Sequence, residues 1–271
     1  MRGALEGKVA VITGGAGGIG FALARRLGCE GARVALLDVA VESLRRCTDE
    51  LQSADLEVVG IPCDVTSQKA CRTAVAEVVH RFGGVDVLCN NAGITQISGF
   101  METRVDVYRR VMDVNFFGAI YMTKAAISSL MKRRGIIAVT SSIAGIAPLL
   151  GRTGYSASKH ALHGFFETLR TELRPTGVHV LMVCPGFTRT SIQSLAGDGS
   201  ISSKCRKSRK AEATPESVAE AVYRAIVRRR RQVVLSLPGK IAWLTSRLLP
   251  GLYDGFMARQ VAGEIDSLCP G

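Results

Sequence analysis

Tyr155 and Lys159 stand four residues apart where a helical pattern opens, so a helix there sets the phenol and the ammonium on one face. A free phenol has a pKa of ~10 and moves protons poorly near neutrality; drawing it down by about three units takes roughly 4 kcal/mol. One ammonium about 4 Å away, at an effective dielectric near 20, supplies about that much. The chemistry on offer is proton transfer at a substrate oxygen. Most Tyr and Lys pairs at this spacing are exposed helix neighbours, and what distinguishes this one is its company.

Ser142 lies upstream, at the end of a strand-like run over 136–141, where a hydroxyl can hold a substrate oxygen. Ser141 competes for that role, and residue chemistry alone does not separate the two. Asn90-Asn91-Ala92-Gly93 follows an earlier strand at the same carboxyl edge, where open α/β sheets bind ligands. Asn115 falls inside a helical stretch although Asn is a poor helix former, which predicts a local kink or a water-binding role.

A second group of residues suits a dinucleotide. Thr13-Gly14-Gly15-Ala16-Gly17-Gly18-Ile19-Gly20 joins the first strand to the first helix, and its glycines let the backbone turn sharply and bring helix N-terminal N–H groups to a pyrophosphate. Asp38 ends the second strand, where its carboxylate can accept from both hydroxyls of an adenosine ribose and would repel a 2′-phosphate. Gly17, Val39 and Ala40 supply no cation for such a phosphate, so NAD is favoured over NADP. Asp38 could also cap the following helix.

The elements that must position these residues alternate along the chain. Strand-like runs at 8–13, 33–38, 57–63, 86–89, 136–141 and 178–184 are separated by helical patterns at 18–29, 41–53, 67–82, 103–132 and 155–173. Short apolar strands between amphipathic helices predict a three-layer, doubly wound α/β Rossmann fold with a parallel sheet of about seven strands. Beyond Pro185-Gly186, residues 191–213 read as a substrate loop. Thr214 and Pro215 then open a helix whose last turn holds Arg228 to Arg231, and Val233 to Leu235 makes a final strand. The expectation is one domain over 1–271, with a cofactor and catalytic core at 6–190 and an apolar extension at 239–271.

The T-G-x-x-x-G-x-G turn, Asn90 to Gly93, Asn115, Ser142, the Tyr155 and Lys159 pair and Pro185-Gly186 occur in the order that resembles the compact short-chain dehydrogenase/reductases. The resemblance covers about residues 6–190. It implies that Tyr155 is the acid/base, that Ser142 orients the substrate oxygen, and that Lys159 anchors the ribose and activates Tyr155. It further implies a proton-relay water at Asn115, an adenine contact at Asp64 and Val65, and cofactor contacts at Gly14, Gly17, Gly18, Ile19, Asn91, Ala92, Gly93, Pro185, Gly186, Thr188 and Thr190. A homodimer or homotetramer built on 103–132 and 155–173 is implied by the resemblance alone. The reaction it implies is interconversion of a secondary alcohol and a ketone.

Composition bounds the rest. The 47% hydrophobic content of 271 residues suffices for a large core, and the eight cysteines form no C-x-x-C pair and read as reduced thiols. Met1 to Lys8 is too short for a signal peptide, and no run of ~18 apolar residues would cross a bilayer, so the expected setting is cytoplasmic. Of the net charge of +12, much lies at Lys204 to Lys210 and Arg228 to Arg231, read mainly as solvated surface. No aromatics interleave with it, so nucleic acid is not expected. Gly239 to Met257 is strongly apolar and has three readings: packing on the core or another subunit, a lid over a lipophilic substrate, or peripheral membrane contact helped by Lys240 and Arg247. Ile94, Ile97, Ile146, Leu149, Leu150, Phe187 and Leu195 suggest an apolar cavity, hence steroid, retinoid or acyl-type substrates. The alternatives are an NADPH-dependent reductase of 3-oxoacyl groups on a carrier protein, which Asp38 argues against, and a non-catalytic dinucleotide-binding protein.

Overall fold

The computed structural model describes residues 3–190, 192–201, 212–253 and 255. The chain opens with β1 (Val9–Thr13), α1 (Gly18–Gly28), β2 (Arg33–Asp38), α2 (Val41–Gln52), β3 (Val58–Pro62), α3 (Gln68–Phe82) and β4 (Val87–Asn90). It continues through β5 (Thr95–Gln96), α4 (Val105–Met112), a π turn (Asp113–Phe117), α5 (Gly118–Arg133), β6 (Ile136–Thr140), a 3-10 turn (Ile143–Gly145) and α6 (Thr153–Glu172). Last come β7 (His179–Cys184), β8 (Ser194–Leu195), α7 (Pro215–Val227), β9 (Gln232–Val234) and α8 (Leu237–Leu248).

Seven strands form one sheet in the order β3-β2-β1-β4-β6-β7-β9, and every neighbouring pair is parallel. The order reverses between β1 and β4, which opens a crevice at the carboxyl edge of the sheet. Alternation along β1 explains the three layers. Val9 and Val11 point into the core under α3, α5 and α6, while Ala10 and Ile12 point into the core under α1 and α7.

Three features depart from the sequence reading. The stretch at 103–132 is not one helix: the π turn separates α4 from α5 at Asn115, where a kink was expected. The arginine run begins only after α7 ends at Val227, and Arg229 adopts φ 46°. Its role in the fold is to bind loop carbonyls: the Arg229 guanidinium donates to Gly177 O at 2.9 Å and to Arg134 O at 3.4 Å. Within 191–213, read above as a loop, Ser194–Leu195 forms β8, which pairs with β5 in a small parallel sheet. Two-residue strands carry no readable periodicity, so this pairing was invisible in the sequence. Lys204 to Lys210, Phe256 and Met257 lie outside the described residues.

Candidate active site

The glycine turn after β1 is built for close approach. Gly14 has φ +64°, and a Cβ on it would lie 2.9 Å from Ala92 Cα; a Cβ on Gly20 would collide with the Gly14 carbonyl oxygen. A Cβ on Gly18 would meet Thr190 Cγ2 at 2.6 Å, while one on Gly17 would touch only Gly14 O at 3.9 Å, so space opens at Gly17. No side chain caps α1, which leaves the first-turn N–H groups, Gly18 and Ile19 among them, to an anion. These residues fit a dinucleotide pyrophosphate. Asp38 stands beside the turn, its Oδ2 accepting from Ala16 N and its Oδ1 from Ala40 N, both at 3.0 Å. The Cys63 N–H bonds Asp38 O at 2.9 Å and so brings exposed Asp64 and buried Val65 to the same edge.

Two threonines stitch this cradle to the next strand. Thr13 Oγ1 accepts from Asn91 N at 2.9 Å and Ala92 N at 3.0 Å. The Asn91 amide donates to Thr13 O at 3.1 Å, and Thr140 Oγ1 donates to Asn91 Oδ1 at 3.3 Å. Thr13 entered the sequence reading only as the start of the glycine motif and Thr140 not at all, although a hydroxyl at the last residue of a strand entering such a turn is a usable signal.

Tyr155 and Lys159 share the inward face of α6. Lys159 is 3% exposed, its Nζ lies 5.5 Å from the Tyr155 ring centroid, and it donates to Thr140 O at 2.8 Å. A Cβ on Gly93 would sit 3.5 Å from that Nζ and 3.2 Å from Asn115 Oδ1, so Gly93 is the gap that lets three elements meet. Asn115 is fully engaged: Oδ1 accepts from Ile94 N at 2.8 Å, and its amide donates to Ile94 O at 3.0 Å and Ser158 Oγ at 2.9 Å. Both amide hydrogens of Asn115 are thus taken within the protein, which leaves this side chain no donor for a water. Ser141 and Ser142 are now distinguished. Ser141 is 2% exposed and donates into the protein, to Lys159 O at 3.3 Å, whereas Ser142 Oγ accepts from Ala144 N at 3.1 Å and its hydroxyl lies close enough to the Tyr155 phenol to pull that group's pKa down. Pro185 O receives Ile143 N at 3.1 Å, and Thr188 Oγ1 donates to Gly186 O at 3.2 Å, which holds the segment after β7 against the turn that carries Ser142.

The family of short chain dehydrogenases matches this chain over residues 8–199. The chain belongs to the short-chain dehydrogenase/reductase family. It is 37% identical over 270 residues to dehydrogenase/reductase SDR family member 7B of Xenopus tropicalis, covering 96% of this chain and 87% of that protein. It is 34% identical over 268 residues to a family protein 7-like relative in Drosophila melanogaster, covering 96% and 82%. Among solved structures, a short-chain dehydrogenase/reductase from Burkholderia phymatum in complex with NAD superposes with TM-score 0.81 at 27% identity, over 90% of this chain and 94% of that one. An alcohol dehydrogenase from Thermococcus sibiricus complexed with 5-hydroxy-NADP gives 0.74 at 29%, over 84% and 95%.

The electrostatics of this short-chain dehydrogenase/reductase differ from the expectation that the neighbouring ammonium draws the phenol down toward neutrality. The Tyr155 ring keeps some exposed surface, but the dense packing around its hydroxyl raises the phenol above its ordinary value, against a downward pull from the Ser142 hydrogen bond and Arg152. Burial brings Lys159 down to about 8, opposed only by nearby Cys184. Burial in turn pushes the Cys184 thiol up to about 11, so it is neutral. Without ligand, then, the phenol is held protonated beside a weakened cation. Of the residues expected to line an apolar cavity, Ile94 and Leu195 instead pack with Val107 and Val111, and Ile146 is buried, while Leu150 and Phe187 are exposed. A groove of about 450 Å³ between α3 and α5, lined partly by Arg72, Lys124 and Lys132, lies away from Tyr155 and takes no part in this site.

Proposed function

We propose that this protein interconverts a secondary alcohol and its ketone on a lipophilic substrate, using NAD. The observation that carries the reading is the meeting of Tyr155, Ser142, Lys159 and the Asn115 turn beside a glycine cradle that suits a dinucleotide. When bound, the nicotinamide supplies the acceptor or donor of the carbon-bound hydride. Tyr155 Oη gives or takes the proton at the substrate oxygen, and Ser142 Oγ holds that oxygen in reach. Lys159, fixed by Thr140 O, keeps positive charge close to the phenol and lowers the cost of the phenolate once further positive charge arrives at the site. Asp38 favours NAD, since a 2′-phosphate would face its carboxylate and meet no cation at Ala16, Val39 or Ala40.

The substrate class rests on exposed apolar side chains at the same sheet edge, among them Phe100, Met101, Leu150, Phe187, Ile192 and Ile201. That edge also carries α8. Ile241, Leu244 and Leu248 are 55, 52 and 68% exposed, while Tyr253 is buried and donates to Pro148 O at 2.9 Å, so the segment packs on the core through part of its length and leaves an apolar face for a bilayer, a substrate or another subunit. Peripheral contact with an anionic bilayer, helped by Lys240 and Arg247, fits it best; flotation with liposomes checks this, and protein left wholly in the soluble fraction refutes it. Among the described residues no helix is long and apolar enough to cross a membrane. The aromatic surface of Phe116, Phe117, Tyr121 and Phe165 on α5, α6 and the π turn suits self-association, which light scattering would measure.

Tyr155→Phe tests the core of the proposal. Turnover of hydrophobic alcohols should fall by about 10³-fold with NAD affinity, read by fluorescence, within twofold. Near-normal turnover in that variant would falsify the mechanism.

A further inference from the structure

The catalytic helix begins without a cap of its own. Arg152, at the N-cap of α6, makes no side-chain cap bond, and the first intrahelical bond runs from Ser156 N to Arg152 O at 2.8 Å. The N–H groups of Thr153, Gly154 and Tyr155 are therefore the first-turn donors that a helix cannot satisfy internally. A residue distant in sequence takes one of them. Gln96, 0% exposed, accepts from Tyr155 N through Oε1 at 3.2 Å. Its Nε2 lies 3.4 Å from Thr153 Oγ1, 3.3 Å from Ser98 O and 3.5 Å from Gly151 O. Gly154 makes room for the arrangement, since a Cβ there would stand 3.5 Å from Gln96 Oε1 and 2.6 Å from Tyr108 Cδ1.

The other face of the same residue belongs to the substrate side. Gln96 is on β5, in register with Leu195 of β8, and the pairing extends through Ile97 N to Leu195 O at 2.9 Å and Thr95 N to Gln193 O at 2.9 Å. One buried amide thus joins the only ordered strand of the substrate loop, among the described residues, to the backbone of the tyrosine proposed as acid/base.

We propose that Gln96 is the positioning residue of Tyr155, acting as a remote cap of α6 that couples the seating of the substrate-side strand β8 to the placement of the phenol. This rests on the assignment of Tyr155 above. The phenolic oxygen is far from its backbone, so a tilt of about 10° at the helix start moves it by roughly 1 Å, and misplacement of that size costs about 10²-fold in rate. A residue that only filled space at this position would affect stability and leave the chemistry of the phenol alone.

The test compares Gln96→Met, which fills the volume but cannot accept the Tyr155 N–H, with Gln96→Glu, which keeps an acceptor oxygen there. Gln96→Met should lose about 10- to 100-fold in kcat with NAD affinity within twofold, and the acid limb of its pH–rate profile should move. Gln96→Glu, held protonated by burial so that its O–H donates to Ser98 O in place of Nε2, should recover kcat to within about threefold of wild type. If Gln96→Met does not fold, Gln96→Asn, whose amide is drawn back by one methylene, replaces it. Wild-type kcat and pH profile in Gln96→Met, or equal losses in Met and Glu, overturn the proposal. An activity-independent reading comes from tyrosinate absorbance, taken as the difference between each protein and its Tyr155→Phe counterpart: Gln96→Met should displace the Tyr155 titration, and an unmoved titration overturns the coupling. Full turnover in Tyr155→Phe alone would instead remove the assignment on which the proposal rests.

Discussion

Lys159→Met is expected to abolish turnover while leaving the ligand-free protein at least as stable at pH 7, an outcome opposite to that of most core substitutions. Lys159 is 3% exposed, and burial lowers it from 10.5 to about 8. At ~1.4 kcal/mol per pH unit, keeping that charge inside costs roughly 3 kcal/mol at neutral pH. Methionine removes the charge and retains most of the buried chain, but it leaves Thr140 O without its donor, a loss of about 1–3 kcal/mol. The net effect is near zero to about 2 kcal/mol in favour of the variant. The sign with pH follows from proton linkage. Between about 8 and 10.5 the unfolded chain holds a proton that the folded protein has released, so wild-type stability rises through this window, and the cost is complete only below it. Urea unfolding of both proteins without dinucleotide should therefore show wild type gaining roughly 2 kcal/mol on Lys159→Met between pH 7 and pH 9.5. Parallel curves across that range would mean that Lys159 is not an unpaired buried cation, and the electrostatic account of the site would fail with it.

Asp38→Ala should weaken NAD binding by about tenfold and narrow the gap between NAD and NADP, since it removes both the ribose acceptor and the repulsive charge; isothermal titration with each dinucleotide measures it, and an unchanged ratio contradicts the role. Asn115→Leu should destabilise by about 2–4 kcal/mol, because Ile94 N–H and C=O lose their partners inside the core. It should also straighten the π turn and lower kcat, so a variant with full thermal stability would refute the pinning. In Gly20→Ala the new methyl would run into Gly14 O, so NAD affinity should fall at least about tenfold while the pH dependence of residual turnover is kept. Asp86→Ala, which strips Val9 N of an acceptor at 3.0 Å and Arg133 and Lys8 of their carboxylate, should cost about 2 kcal/mol in thermal or urea unfolding and leave kcat alone.

Much of the sheet was legible because each central strand is a continuous apolar run and each helix keeps a 3.6-residue period, signals that survive without knowledge of the partner element. The glycine turn was legible for a similar reason: glycine at 14, 18 and 20 answers to local crowding that only backbone can tolerate. Ser141 and Ser142 were not separable, because one residue of register at a strand end exchanges inward for outward, and the hydrogen bond of Ser141 to Lys159 O depends on where α6 packs. Gln96 was missed on the same ground. Its partners lie at Gly151, Thr153 and Tyr155, across a loop whose path no local pattern announces.

The character of Lys159 ties the fold to the proposed chemistry. Among the described residues no carboxylate bonds its ammonium; it donates to the Thr140 carbonyl, and the nearby Cys184 thiol is held neutral by burial. A structural lysine this deep would normally be paired, since an unpaired buried charge is a standing cost. Retaining the cost makes physical sense if the best available partner is negative charge that develops during reaction, at the phenol of Tyr155 and the substrate oxygen beside it. A carboxylate at that position would neutralise the ammonium in the ground state and leave less stabilisation for the transition state. On this argument the absence of an acid near Lys159 is as much a part of the site as the tyrosine. Introducing one, for example by Cys184→Asp, should stabilise the lysine's charge, raise its pKa and slow turnover together; a faster enzyme would refute the argument.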